Sequence, residues 1–303
     1  MLQKVKSKIL VVLGPTASGK SSLAIALARE FSGEIVSADS RQVYKGLDIG
    51  SGKVTKRERR GVTHHLIDVS PPNSDYNVHH FQADAARAIR AIRKKGKLPI
   101  LCGGTGFWIE ALLSGQALPR VRPYSVLRTK LQKLGPAELF KMLQGKDPDR
   151  ALTIDRHNPR RLIRALEIVE ATRKPVPPLA TKPSYDSLAI GIALPQEELF
   201  KKIHVRLQKR LAQGMLAEVR GLLASGVPAK RLIGLGLEYR FCTLYLEGKL
   251  TLPEFEKRLE KEIRDYAKRQ MTWFRRMEKK YPIRWIQSEQ QAASLAKKFL
   301  TAA

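Results

Sequence analysis

Residues 9–12 (ILVV), extended by Leu13, form an unbroken apolar run too short for a helix. Past Ser21 the pattern changes, and Leu23, Ala24, Leu27 and Ala28 recur at helical spacing. The chain thus opens with a buried strand, a loop and a helix. Residues 34–39 (EIVSAD) predict a second strand, residues 64–69 (HHLIDV) a third and residues 98–102 (LPILC) a fourth. Before the fourth, Phe81, Ala85, Ala88, Ile89 and Ile92 share one face of a helix over residues 78–94. After it, another helix runs through Leu113. Strands alternating with helices predict an α/β fold with a parallel sheet.

From Pro119 to about Ser184 prolines punctuate the chain and the predicted elements are helical. The clearest covers residues 158–169, with Asn158 as cap, Pro159 in the first turn and an apolar stripe of Leu162, Leu166 and Val169. Residues 188–194 (LAIGIAL) resume a buried strand. Amphipathic helices follow over residues 199–211 and 215–223, then a glycine-broken apolar turn at 232–239 (LIGLGLEY). A long helix over residues 255–277 and a last strand at 283–286 complete the pattern. The expected architecture is a parallel sheet core flanked by helices (residues 1–118 and 185–303), with a helical insertion domain at 119–184.

Composition narrows the function. No apolar run approaches the length of a membrane span, and the N-terminal stretch reads as a strand rather than a signal peptide. Cys102 and Cys242 lie far apart without metal-ligand spacing, which argues against disulfide frameworks and zinc sites and makes the cytoplasm the expected compartment. The net charge is +28, from 56 Lys and Arg against 28 Asp and Glu. Such an excess points to a polyanionic partner. The basic residues spread over the whole chain rather than one amphipathic terminus, so nucleic acid fits better than a membrane surface.

The chemistry begins in the first loop. Gly14, Pro15, Thr16, Ala17, Ser18, Gly19, Lys20 and Ser21 make the phosphate-binding P-loop in its context of strand, loop and helix, so the expected α/β core is P-loop NTPase-like. The glycines let successive backbone N–H groups turn inward, the helix adds its positive end, Lys20 supplies a point charge and the Ser21 hydroxyl can ligate Mg²⁺. The loop does not say which phosphate compound it holds. Asp39, at the carboxyl end of the second strand, faces the ligand crevice of an open parallel sheet, as a helix cap or as an acid/base. The fourth strand ends in Gly103-Gly104-Thr105-Gly106 rather than a magnesium-organising carboxylate, and Asp68 is the only other such candidate, so an ATPase motor is disfavoured. Residues 45–60 read as a mobile loop, with residues 56–60 a solvated charge run. His64 and His65 lack a third ligand at useful spacing and read as structural. Arg160 and Arg164 project together at i, i+4, equally suited to phosphate contact and to a solvated face. Trp273 and Phe274 lie among Lys268, Arg269 and Gln270, where stacking on bases competes with the commoner core role.

Four stretches together are similar to the tRNA dimethylallyltransferases (tRNA isopentenyltransferases), in the bacterial form: GPTASGKS at 14–21, SADSRQVYKGLDIG at 37–50, GGTGFW at 103–108 and NPRRLIRALE at 158–167, with AKRQMTWFR at 267–275 as a fifth. The resemblance implies that the P-loop holds the pyrophosphate of dimethylallyl diphosphate, with Mg²⁺ on Ser21, rather than ATP. The acceptor it implies is the exocyclic amine of the adenosine just 3′ of the anticodon, splayed out of the tRNA anticodon loop. It assigns Asp39 as general base, Thr105 as a hydrogen-bonding partner of the amine and Lys20 to the departing pyrophosphate. It places Asp39, Ser40, Arg41 and Gln42 at the target base, and Arg160, Arg161, Leu162, Ile163 and Arg164 on the tRNA. Arg128, Lys268, Arg269 and Gln270 are further expected tRNA contacts. No obligate protein partner is evident.

The chain departs from the family pattern at Gly236-Leu237-Glu238-Tyr239, where many members have a Gly-Tyr-Lys-Glu-like turn, so no phosphate role passes to Glu238. Val54 stands where a proline is usual. Two distant cysteines exclude the zinc finger of longer members. The alternatives from other classes are a P-loop kinase of small molecules, which leaves the charge of +28 unexplained, and a non-catalytic RNA-binding protein that keeps the loop for stability.

Overall fold

The computed structural model describes residues 7–119, 121–122, 124–178 and 180–302. It divides into two compact units, Met1–Ser114 with Pro183–Ala303, and Gly115–Lys182.

In the first unit, β1 (Ser7–Leu13) leads into α1 (Lys20–Glu30), β2 (Gly33–Ser37) and β3 (His64–His65). Next come α2 (Val78–Lys94), β4 (Leu98–Gly103) and α3 (Gly106–Ser114). The second unit holds α4 (Ser125–Leu131), α5 (Pro136–Lys146), α6 (Pro148–Thr153) and α7 (Pro159–Thr172). The chain then returns through β5 (Tyr185–Ile192), α8 (Gln196–Ala212), α9 (Met215–Ala224), α10 (Ala229–Leu235) and α11 (Leu237–Leu246). It ends with α12 (Leu252–Glu278), β6 (Ile283–Ile286) and α13 (Glu289–Thr301). No helix among the described residues is long and apolar enough to cross a membrane.

The six strands form one sheet in the order β3-β2-β4-β1-β5-β6, and every pair is parallel. This explains the unbroken apolar run of β1. Ile9, Val11 and Leu13 enter the core on one face, with Phe81, Ile89, Phe255 and Phe274. Leu10 and Val12 enter the other, with Leu23, Leu27 and Ala292. A parallel strand buried on both faces reads as continuous rather than alternating hydrophobicity.

Two predicted segments differ. The third strand is only two residues long, because Leu66 (φ 63°) and Asp68 (φ 58°) take left-handed backbone that ends the ladder. Residues 232–239 are not a turn but the end of α10 and the start of α11, joined at Gly236 (φ 76°).

The β2 strand carries a buried acid, Glu34, which accepts from His65 Nε2 (2.7 Å), Lys97 Nζ (2.9 Å) and Lys95 Nζ (3.2 Å). Both histidines are structural, His64 bonding through Nδ1 to the Val62 carbonyl (2.9 Å). Burial alone would raise the Glu34 pKa, but the bonds from His65, Lys97 and Lys95 outweigh it and hold the carboxyl at about 2. A carboxylate whose folded pKa is depressed stabilises the fold above its unfolded pKa and loses that stability as pH falls toward the folded value. Lys95 and Lys97 are about half exposed, so water screens part of this pairing and Glu34→Gln is expected to cost about 1–2 kcal/mol at pH 7. Thermal unfolding of both proteins across pH should show the gap closing below about pH 4. A gap that persists unchanged at pH 3 would show that packing, not charge, accounts for it.

Candidate active site

The strand order decides which loops meet. The register pairs Leu13 of β1 with Gly103 of β4, and Ser37 of β2 with Cys102 of β4. The loops following β2, β4 and β1 thus emerge side by side at the carboxyl edge, about 4.8 Å apart per strand. Gly103 is required where the β4 loop crosses the β2 loop. A Cβ there would lie 2.2 Å from the Ala38 carbonyl oxygen, a backbone atom that cannot move aside.

The P-loop occupies the β1 position. Ala17 (φ 63°) and Gly19 (φ 92°) supply left-handed turns that curl the backbone into α1, whose first-turn N–H groups have no intrahelical acceptor. Gly14, Pro15 and Ser18 are buried beneath, and Thr16, Ala17, Gly19, Lys20 and Ser21 line a crevice of about 500 Å³. The Ser18 hydroxyl is buried without a partner among the described residues. Lys20 Nζ donates to the Pro15 carbonyl (3.3 Å). Burial and then the nearby Arg206 charge lower the Lys20 pKa. Burial, then Arg210, also pulls the Arg206 guanidinium down to about 10. Such a cluster of desolvated cations gains most from an anion.

The acceptor side lies at the β2 and β4 loops. Asp39 is not a helix cap. Its Oδ1 accepts the N–H of Arg41 (2.9 Å) and of Gln42 (3.4 Å), closing a turn, while Oδ2 makes no hydrogen bond among the described residues. Thr105 Oγ1 accepts the Ser40 N–H (3.1 Å), which leaves its own proton available to donate. Asp39 and Thr105 are thereby held as neighbours, one carrying a free carboxylate oxygen and the other a hydroxyl proton.

Several expected contacts are placed differently. Gln270 does not face outward. It is buried and bonds the Thr16 N–H (2.8 Å) and the Gly104 carbonyl (2.9 Å). The Arg41 guanidinium is taken up by the Leu235 carbonyl (3.1 and 2.9 Å) and lies over the Tyr266 ring. Lys268 and Arg269 are exposed on α12, paired with Asp265 (3.5 Å) and Glu262 (2.7 Å). In the second unit Leu162 and Ile163 belong to the core with Leu139 and Leu143, so their side chains cannot reach a ligand. Arg128 (2.6 Å) and Arg164 (3.5 Å) both pair with the fully buried Glu167. Only Arg160 and Arg161 of that group are exposed. Within the loop of residues 45–60, Glu218 accepts the N–H groups of Asp48, Ile49 and Gly50 and also the Tyr239 hydroxyl. Trp273 and Phe274 keep the core role, Phe274 fully buried and Trp273 half-buried beneath the Arg276 guanidinium at 4.0 Å.

The sequence pattern did not single out Arg206 and Arg210, although one signal was present. The inward stripe of α8 runs Leu199, Ile203, Leu207 and then Arg210, a charge at a core position. Arg210 is held by Glu238 (2.9 Å), so Glu238 serves the protein rather than a phosphate.

Ser21 lines the crevice beside Lys20, so its hydroxyl is the P-loop group that would hold Mg²⁺, a cation that keeps its waters and takes substrate phosphate oxygens.

The chain is similar to known proteins over most of its length. The family model described as IPP transferase matches residues 42–277. A tRNA dimethylallyltransferase 2 of Porphyromonas gingivalis is 45% identical over 282 residues, covering 92% of this chain and 93% of the relative. A tRNA dimethylallyltransferase of Thermomicrobium roseum is 42% identical over 278 residues, covering 90% and 84%. The crystal structure of the full-length tRNA isopentenylpyrophosphate transferase of Bacillus halodurans superposes with a TM-score of 0.72 at 33% identity, covering 97% of this chain and 96% of that one. With a phosphate loop, with a carboxylate and a hydroxyl on the loops after adjoining strands, and with these matches over most of its length, the chain belongs to the IPP transferase family.

Proposed function

We propose that this chain transfers the dimethylallyl group of dimethylallyl diphosphate to the exocyclic amine of the adenosine 3′ of the anticodon in tRNA, releasing pyrophosphate. The observation that carries the reading is the adjacency of the P-loop, Thr105 and Asp39 on the neighbouring strands β1, β4 and β2. An exocyclic amine is a poor nucleophile and must lose a proton as it attacks. Asp39 Oδ2 is the acceptor for that proton, because Oδ1 is engaged by the turn. Thr105 Oγ1, fixed by the Ser40 N–H, uses its second lone pair to accept an N–H of the reacting amine, which orients the amine and leaves the nitrogen lone pair free to attack. The amine nitrogen bonds to the allylic carbon, and the carbon–oxygen bond breaks with its electron pair going to pyrophosphate. Lys20, with the α1 amides, stabilises the negative charge that grows there. Mg²⁺, held through Ser21, would add positive charge to the pyrophosphate.

The experiment is incubation with unmodified tRNA and labelled dimethylallyl diphosphate, followed by nucleoside analysis. Label in a prenylated adenosine 3′ of the anticodon supports the reading, and ATP turnover without label transfer overturns it.

The arginines of the second unit give a separable expectation. Cations that neutralise phosphates release counterions, so tRNA affinity should fall steeply with salt. Replacing Arg160 and Arg161 should flatten that slope by about one for each phosphate no longer neutralised. Binding titrations across salt concentrations check this. An unchanged slope makes α7 a solvated face. Replacing Arg128 instead leaves Glu167 buried with half its ion pairing and should lower thermal stability.

A further inference from the structure

We propose that Gln270 is a positioning residue that fixes the distance between the donor and acceptor halves of the site. The inference rests on the prenyl-transfer reading above. Gln270 lies on the inward stripe of α12, among Ile263, Ala267 and Phe274. Two main-chain groups meet it there. Its Oε1 accepts the Thr16 N–H of the P-loop at 2.8 Å, and its Nε2 donates to the Gly104 carbonyl, one residue before Thr105, at 2.9 Å.

A carboxamide suits this place because it offers one acceptor and one donor about 2 Å apart, and both are used. An apolar side chain would leave the Thr16 N–H and the Gly104 carbonyl without this partner. The fit is close, since a Cβ on Gly104 would lie 2.3 Å from Nε2. One side chain thus ties the loop after β1 to the loop after β4. The Thr16 N–H is turned toward Gln270, which sets the curl of the loop that carries Lys20. Gly104 in turn sets the start of Thr105. Transfer requires the allylic carbon and the amine nitrogen about 3–3.5 Å apart, and a misplacement near 1 Å costs about 10²-fold. Gln270 contacts neither reacting group and acts through the two loops.

The test compares Gln270→Ala and Gln270→Glu with the parent. Single-turnover prenyl transfer at saturating substrates is measured beside the affinity for inorganic pyrophosphate, the affinity for tRNA and thermal unfolding. Gln270→Ala is expected to slow the chemical step about 10²-fold, with both affinities within about threefold of the parent, because Lys20, Ser21 and the α1 amides remain. In Gln270→Glu an ionised carboxylate sets an acceptor against the Gly104 carbonyl, whereas the protonated acid restores the donor. Its rate relative to the parent should recover as pH falls, which a loss of packing would not produce. A Gln270→Ala rate within threefold of the parent overturns the proposal. So does a rate loss matched by an equal loss of pyrophosphate affinity, or a Gln270→Glu ratio flat with pH. If Gln270→Ala fails to fold, the pH ratio of Gln270→Glu decides alone. An inactive parent overturns the transfer reading together with this proposal, whereas an active parent with equally active variants overturns only the positioning role.

Discussion

Replacing Asp39 by Asn is expected to slow prenyl transfer by roughly 10²–10⁴-fold, equivalent to about 3–5 kcal/mol of transition-state stabilisation. The substitution separates the two roles of this side chain. The turn role belongs to Oδ1, which accepts from the Arg41 and Gln42 amides. An Asn oxygen accepts those same bonds, so the turn persists. The proton-acceptor role belongs to Oδ2, which becomes an amide nitrogen that cannot take a proton. Melting temperature and tRNA affinity should therefore hold while the single-turnover rate collapses. Single-turnover transfer with saturating tRNA and diphosphate, beside thermal unfolding, checks this. A rate within about threefold of the parent is too small for a lost proton acceptor and would remove Asp39 from the chemistry.

The second large effect is at Lys20. Lys20→Ala should lower the transfer rate by roughly 10²–10³-fold, the usual loss when one preorganised charge or donor at a developing anion is removed. Affinity for pyrophosphate should weaken in parallel, and tRNA affinity should stay within about threefold. Stability provides an independent check. Burial, followed by Arg206, lowers the Lys20 pKa, so its charge costs stability at neutral pH. The variant should melt no lower than the parent. A melting temperature several degrees lower, or equal losses of pyrophosphate and tRNA affinity, would show that Lys20 serves the fold or that the two sites are not separate.

The second unit qualifies the charge argument. A net charge of +28 gives no address for the cations that meet RNA. Arg164 matches the family motif as well as Arg160 does, and Arg128 is expected beside them, yet Arg128 and Arg164 are both spent on Glu167, buried at 0% exposure. A buried carboxylate requires such partners, and breaking its pairing is more costly than any surface contact is favourable. Arg160 and Arg161 have no comparable obligation and stay in solvent.

By itself the sequence determined the strands, the P-loop and the long helices. Apolar runs bounded by glycines and stripes at helical spacing are local signals, and burial of those residues is their only stable outcome. The helix over residues 78–94 and the strand at 283–286 appear at their predicted bounds for that reason. Two classes of feature were decided only in three dimensions. One is backbone that departs from regular geometry, as at Leu66 and Asp68, where positive φ cuts a plausible strand to two residues. The other is the fate of polar groups on buried stripes. The sequence expected Gln270 on tRNA and did not single out Arg210, whereas the folded chain buries both on the inward stripes of α12 and α8. The partners of Gln270 lie 254 and 166 residues away in the chain, and those of Arg210 lie 28 and 160 away. Buried hydrogen-bonding groups must be paired, yet which groups pair depends on sheet order. Placing β4 between β2 and β1 sets the loop of Thr105 between that of Asp39 and the P-loop, the latter two lining one crevice, and that order is a property of the folded chain.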